Sequence, residues 1–363
     1  MRRLPTLGVL VAVSVVAGCA SAPPASSELS AAMSAASSSV GRILASRCEA
    51  PPVSGSAFAI GDDLVLTAAH VAEKSRTVSV RFPGRPSVLA DAVGEDPTRD
   101  LLLLRARESL AVPGLQLATA DAPTGEVLGL LGYPDAGSGV QTRAGRLVET
   151  GFTTGFRGAD QQFLRLDAES AGGNSGGTVI DSSGTVQGLM VAVIPSLRIR
   201  ESSRVSTLAV PAADVAERVA QWRAPTASVP TSVGQACPGE GDERHAPPVL
   251  TTSGADPMTP EASQVIWLAM AGWNAGQWHS AAQQYTDSGR ADLGLVSDAP
   301  VVWWQSVDVS GVNASGDIVT ADVGTRSVVE GRCRTQQWRY RLNSTQGPWL
   351  IDSVELIGAE TGC

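Results

Sequence analysis

The sequence predicts an all-β double barrel followed by a smaller α+β domain, and three observations carry that reading. Short β-like runs recur between turn signals at Ala57–Ile60, Leu64–Thr67, Thr77–Phe82, Leu101–Leu104, Val127–Leu131, Phe163–Leu166, Thr178–Ile180 and Val186–Val193. Many short strands at this spacing suit a pair of barrels. The aromatic vocabulary then changes: all five Phe precede residue 164, whereas seven of the eight Trp follow residue 266. Two vocabularies imply two separately built cores. Beyond residue 260 a helical pattern gives way to alternation, as in Trp338-Arg339-Tyr340-Arg341-Leu342, which predicts strands with one dry face. A length of 363 residues accommodates about two domains.

Residues 1–19 read as a signal peptide: Arg2 and Arg3, an apolar run from Leu7 to Val16, then small residues. The ending Val16-Ala17-Gly18-Cys19 resembles a bacterial lipobox, which implies that Cys19 is lipidated and becomes the mature N-terminus. The apolar run is too short for a stable spanning helix. Residues 20–39, rich in Ala, Ser and Pro, are expected to form a flexible tether. The barrel domain is expected over 40–238, and Asp214 to Trp222 carries Val215, Val219 and Trp222 at helical spacing. Residues 239–260 read as a linker, with His245 a solvated loop residue, and 261–363 as the α+β domain. Within it Glu261 to Tyr285 reads as helix, with Ile266, Met270 and Trp273 on one face.

The chemistry concentrates in Gly172-Gly173-Asn174-Ser175-Gly176-Gly177. Glycines let the backbone turn sharply and approach a substrate, which a nucleophilic serine and converging N–H donors require. Such a serine needs a base within hydrogen-bond reach and a carboxylate to orient it. Of the three histidines, His70, His245 and His279, only His70 shares this half of the chain. It ends the run Leu64-Val65-Leu66-Thr67-Ala68-Ala69-His70, just past a predicted strand. Asp100 opens the apolar run Leu101-Leu102-Leu103-Leu104 and is the carboxylate candidate; Asp91 and Asp96 are alternatives in more polar settings.

The order His70, Asp100, Ser175 resembles the trypsin-like serine proteases of the chymotrypsin fold. It is similar to their bacterial extracytoplasmic branch, the HtrA/Deg enzymes and the periplasmic acid-resistance protease family. The resemblance rests on Gly55-Ser56-Ala57-Phe58, Thr67-Ala68-Ala69-His70, Asp100-Leu101, Leu131-Gly132-Tyr133-Pro134, Gly173-Asn174-Ser175-Gly176-Gly177 and Leu208-Ala209-Val210-Pro211. It implies that Ser175 is the nucleophile, His70 the general base and then acid, and Asp100 the orienting carboxylate. It further implies an oxyanion hole from the N–H groups of Gly173 and Ser175, and a pocket floor at Glu169 with walls at Met190, Val191 and Ala192. Two departures stand out. Val71 follows His70 where digestive relatives carry cysteine, and no Ile-Val-Gly-Gly segment is present. Activation by zymogen cleavage is therefore not expected.

Apart from Cys19, the cysteines are Cys48, Cys237, Cys333 and Cys363. An even count in an exported chain favours two disulfides, with three connectivities available. Cys48 and Cys237 bracket the barrel region, a feature shared with the acid-resistance protease family, and Cys333 and Cys363 share the C-terminal region. No Cys/His cluster occurs at zinc spacing, so neither metal nor cofactor is expected. A net charge of −9 argues against nucleic acid and against anionic lipid surfaces; removal of the first 18 residues would take away Arg2 and Arg3 and deepen it by two. Helix before alternating strands, with Trp273-Asn274-Ala275-Gly276-Gln277-Trp278 and Gly347-Pro348-Trp349-Leu350-Ile351, resembles the NTF2-like α+β cone. Its tryptophans fit core packing or a ligand pocket that His279 could line. The expected function is a lipid-anchored serine endopeptidase on the extracytoplasmic side of a bacterial cell membrane, acting on protein or peptide through an acyl-enzyme. The C-terminal domain is expected to bind a ligand or protein partner. The alternative is a catalytically silent peptide-binding or chaperone-like lipoprotein.

Overall fold

The computed structural model describes residues 25–47, 53–85, 87–134, 139–195, 205–224, 230–235, 247–274, 281–292, 302–329, 332–344 and 349–363. The first closed barrel has six antiparallel strands: β1 (Val40–Arg47), β2 (Val53–Gly61), β3 (Leu64–Ala68), β4 (Ser75–Arg81), β5 (Ser87–Asp96) and β6 (Leu101–Ala106). Around it they run β1-β2-β3-β6-β5-β4. The second barrel holds β7 (Val127–Gly132), β8 (Gln141–Phe156), β9 (Ala159–Asp167), β10 (Thr178–Ile180), β11 (Val186–Pro195) and β12 (Val205–Pro211), in the order β10-β11-β12-β9-β8-β7. The apolar runs explain themselves: Leu101, Leu102, Leu103 and Leu104 are all fully buried. A strand buried on both faces does not need to alternate. Helix α3 (Ala212–Trp222) leaves the second barrel and lays Trp222 over Gly94 of β5, where an added Cβ would lie 2.2 Å from the indole Cγ. The last helix of the double barrel thus closes back on the first barrel as well as on β11 and β12.

Two segments differ from expectation. Residues 20–39 are not a tether throughout, because Ser27–Ala36 form helix α1. Ser26 caps it, its Oγ accepting the Leu29 N–H at 3.1 Å. Leu29, Met33 and Ala36 sit at i, i+4, i+7 and are buried, and Met33 lies against Gly129 of β7. That sparse stripe, diluted among Ala and Ser, is enough because it meets a ready apolar surface. Likewise Val249–Thr252, inside the expected linker, form β13, which runs parallel to β14 (Val302–Ser315).

The remaining sheet runs β13-β14-β15-β16-β17, with β15 at Ile318–Val329, β16 at Arg332–Asn343 and β17 at Leu350–Leu356; β18 (Thr361–Gly362) pairs with β16. In β16 Tyr340 and Leu342 are buried while Arg339 and Arg341 face out, as the alternation requires. Helix α4 (Thr259–Asn274) packs on this sheet. Its described part reaches Asn274, which turns its side chain onto Trp304: Nδ2 donates to the Trp304 carbonyl at 2.7 Å and Oδ1 accepts its N–H at 2.8 Å. Of the expected helix to Tyr285, residues 275–280 lie outside the described residues. A further short helix, α5 (Asp287–Asp292), follows.

α4 also faces the first barrel. The Glu261 carboxylate, 2% exposed, accepts from Ser87 Oγ at 3.2 Å and lies 3.7 Å from Arg81 Nε. Gln264 Nε2 donates to Thr77 Oγ1 at 2.5 Å, and the Arg76 guanidinium lies over Trp267. Cys333 and Cys363 are bridged, with Cα atoms 5.4 Å apart. Cys19, Cys48, Cys237, His245, Trp278 and His279 lie outside the described residues.

Candidate active site

His70 sits in helix α2 (Ala69–Ala72), one turn that begins where β3 stops. β3 is buried at every position, so it presents the imidazole from a fixed base. Asp100 immediately precedes β6 and is fully buried, at φ 61°. That left-handed conformation is uncommon for a residue other than glycine and is tolerated best by Asn and Asp. The preceding turn is built by Asp96, whose Oδ1 accepts the N–H groups of Thr98 and Arg99 at 3.1 and 3.0 Å.

Two bonds join the pair, and a third ties the acid to the residue before the histidine. The Asp100 Oδ1 accepts the His70 backbone N–H at 2.8 Å, Oδ2 lies 2.6 Å from His70 Nδ1, and the Asp100 carbonyl accepts the Ala69 N–H at 3.0 Å. A carboxylate cannot donate, so in the neutral imidazole the ring proton belongs on Nδ1 and Nε2 is left as an acceptor. The His70 side chain is 32% exposed, its acid partner 0%. Of the alternatives, Asp91 is exposed and held by Arg107 at 2.7 Å, and Asp96 is engaged by Arg218 at 3.0 Å.

Ser175 lies between two consecutive turns. Asn174 N–H donates to the Ala171 carbonyl at 3.2 Å across Gly173 at φ 89°, and Gly177 N–H donates to Asn174 at 2.9 Å across Gly176 at φ 85°. Met190 pins this loop from β11: its carbonyl accepts the Gly176 N–H at 2.7 Å and its N–H donates to Gly177 at 2.9 Å. Ser56 pins it from the first barrel. Its N–H donates to the Ser175 carbonyl at 2.8 Å, and its Oγ donates to the Gly173 carbonyl at 2.7 Å while accepting the Tyr133 N–H at 2.7 Å. Thr67 Oγ1 in turn donates to the Ser56 carbonyl at 2.7 Å. Thr67 is three residues before His70, so the serine loop and the histidine are tied to the same pair of strands. The structure brings His70 and Asp100 into contact and carries the Ser175 turn to the same edge between the barrels. Ser56 thus holds the serine turn to the first barrel, a contact that its place in Gly55-Ser56-Ala57-Phe58 does not announce.

Gly176 has no room for a side chain. A Cβ there would fall 2.2 Å from the Ser56 carbonyl oxygen and 2.3 Å from Thr67 Oγ1. Gly176→Ala is therefore expected to cost about 3 kcal/mol or more from overpacking and backbone strain together. A drop in the denaturation midpoint, with any activity lost alongside, is the measurement that checks it.

Beside the turn is a cavity of about 400 Å³, lined by Glu169, Ala171, Asn174, Met190, Gly132 and Arg143 among others. Glu169 is 70% exposed and 3.8 Å from Arg143, so its charge is already partly answered. Met190 lines the cavity. Val191 does not serve as a wall there: it is 3% exposed in the core cluster shared by the barrels, against which the half-buried Ala192 packs. The register of β11 shifts between Met190 and Ala192, and Met190 falls in the core of the second barrel while Val191 and Ala192 pack in the cluster shared by both, so the three do not line one pocket. Among the described residues no group of three or more His, Cys, Asp or Glu is placed to hold a metal.

Two six-stranded barrels with a serine turn, a histidine and a buried aspartate at their junction define the class. Residues 55–189 match the family described as trypsin-like peptidase domain, and this stretch is one. It is homologous to the HtrA proteases: over 168 residues it is 32% identical to the mitochondrial serine protease HTRA2 of Bos taurus, covering 42% of this chain and 36% of that one. Over 157 residues it is 36% identical to serine protease Rv3671c of Mycobacterium tuberculosis, covering 41% of this chain and 38% of that protein. The chain thus spans well under half the length of these curated relatives. The crystal structure of the active form of the Rv3671c protease superposes with a TM-score of 0.50 at 24% identity, covering 63% of this chain and 98% of that one, a likeness of fold.

Proposed function

We propose that the chain is a serine endopeptidase acting on proteins or peptides, with Ser175 as nucleophile, His70 as general base and then acid, and Asp100 as the orienting carboxylate. The observation that carries this reading is the 2.6 Å contact of His70 Nδ1 with the fully buried Asp100. It leaves Nε2 able to take the Ser175 Oγ proton as Oγ attacks the scissile carbonyl. The N–H groups of Gly173 and Ser175 would face the oxygen that becomes negative, and each such donor typically supplies about 3 kcal/mol. Return of the proton from His70 releases the amine, and water then hydrolyses the acyl-enzyme by the same route. The cavity lined by Glu169 and Met190 is a candidate for the substrate side chain. Purified full-length protein should cleave an unfolded protein substrate, and Ser175→Ala should not. Specific peptide capture without cleavage, unaffected by that substitution, would instead favour the binding-scaffold reading.

Val16-Ala17-Gly18-Cys19 supports a lipid anchor that holds the enzyme on the extracytoplasmic side of a bacterial membrane. Among the described residues no helix is long and apolar enough to cross a membrane. Cys19→Ser is expected to move the protein from the membrane fraction to the soluble one, which fractionation of cells checks directly. We read residues 261–363 as an NTF2-like accessory domain that binds a ligand or partner, on the strength of α4 preceding and packing against the sheet of β14 to β17.

A further inference from the structure

The β8–β9 hairpin of the second barrel reaches across to the Asp100 turn of the first. Phe156 pairs with Ala159, which leaves Arg157 and Gly158 as a two-residue loop at φ 49° and 86°. Positive φ at both positions is the I′ turn, which favours Asn, Asp or Gly at the first of them. An arginine is an unsuitable choice there on backbone grounds, so its side chain must account for it.

That side chain is shared among three groups of the first barrel. Arg157 Nε donates to the Pro97 carbonyl at 2.8 Å, Nη2 donates to Glu73 Oε2 at 2.7 Å, and Nη1 lies 3.9 Å from Asp100 Oδ1. Gln161, on the same hairpin, donates from Nε2 to the Thr98 carbonyl. Glu73 is the residue that ends α2, the helix of His70. The hydrogen bond from Arg157 holds its carboxyl below the usual carboxylate range. One guanidinium therefore grips both the end of the histidine's helix and the turn that delivers the acid. It approaches the acid from the Oδ1 side, leaving Oδ2 to the imidazole.

We propose that Arg157 is a positioning residue that sets Asp100 against His70 and couples that geometry to the second barrel. Its effect on hydrolysis rests on the peptidase reading above. Misplacement of a reacting group by about 1 Å can cost on the order of a hundredfold in rate. Loss of a residue that acts one step further out is expected to cost about tenfold in kcat, with KM changed less than about twofold.

The test compares full-length wild type with Arg157→Ala, Arg157→Lys and Glu73→Gln. Arg157→Ala should show the kcat loss, added guanidinium should restore part of it, and Arg157→Lys should fall between. In a Ser175→Ala background, the proton NMR signal of the His70 Nδ1–H should shift or broaden on Arg157→Ala, whether or not the protein hydrolyses peptides. An unchanged signal, or wild-type kcat in Arg157→Ala, would overturn the proposal. If Arg157→Ala does not fold, unchanged NMR signals and kcat in both Arg157→Lys and Glu73→Gln would do so. A wild type that cleaves nothing, yet whose His70 signal moves with Arg157, would sink the peptidase reading and leave the clamp standing.

Discussion

Replacing Ser175 by alanine is expected to lower kcat by roughly 10⁴- to 10⁶-fold while leaving the melting temperature unchanged. The size of the effect follows from removing the group that forms the acyl-enzyme: residual rate would come only from substrate binding and the oxyanion donors. The intact fold follows from how the turn is held. Its bonds run through the backbone of residues 173 to 177, the Met190 backbone and Ser56, none of which the substitution touches. Steady-state hydrolysis of a peptide substrate, together with thermal unfolding, separates the two. A large loss of activity accompanied by unfolding would assign Ser175 a structural role instead.

Asp100→Asn is expected to cost about 10⁴-fold in kcat with the fold retained. Both carboxylate oxygens accept bonds in the native site: Oδ1 from the His70 N–H and Oδ2 from the ring. An amide supplies one acceptor and one donor, so the two contacts cannot both be kept with the imidazole proton on Nδ1. With the NH₂ group toward the ring, Nδ1 has to accept, the ring proton moves to Nε2, and the base can no longer take the serine proton. With the amide reversed, the NH₂ group faces the His70 N–H and the Arg157 guanidinium, and three donors converge. A substitution at Asp91 gives the contrast. Asp91→Asn removes a partner of Arg107 on an exposed surface, where such pairs contribute about 1 kcal/mol at most, and is expected to leave kcat within about twofold.

The parts of this molecule legible in its sequence are those whose cause is local. Leu101 to Leu104 announced a strand because burial on both faces demands unbroken apolar residues. His70 reads as a candidate base because it follows a buried strand, and Ser175 as a candidate nucleophile because glycines flank it. The strands β5 and β8 gave no such signal. β8 is 16 residues long and opens with the polar Gln141-Thr142-Arg143, while β5 carries Gly94 for the sake of Trp222, more than a hundred residues away. Helix α1 was hidden for a similar reason: its three buried residues matter only because β7 waits for Met33. Ser56 and Arg157 are the site's equivalent. Both act by spanning the two barrels, a relation that exists only after the chain has folded. Val191 shows the converse, a residue close to the site in sequence that packs in the core beside the register shift of β11.

The central claim is that Ser175 is an activated nucleophile, and covalent labelling tests it most directly. Folded full-length protein treated with a fluorophosphonate should acquire a single adduct that peptide mass spectrometry locates on Ser175, and His70→Ala should abolish it. A folded wild-type protein that takes no adduct on Ser175, or one that takes it equally well without His70, would contradict the account.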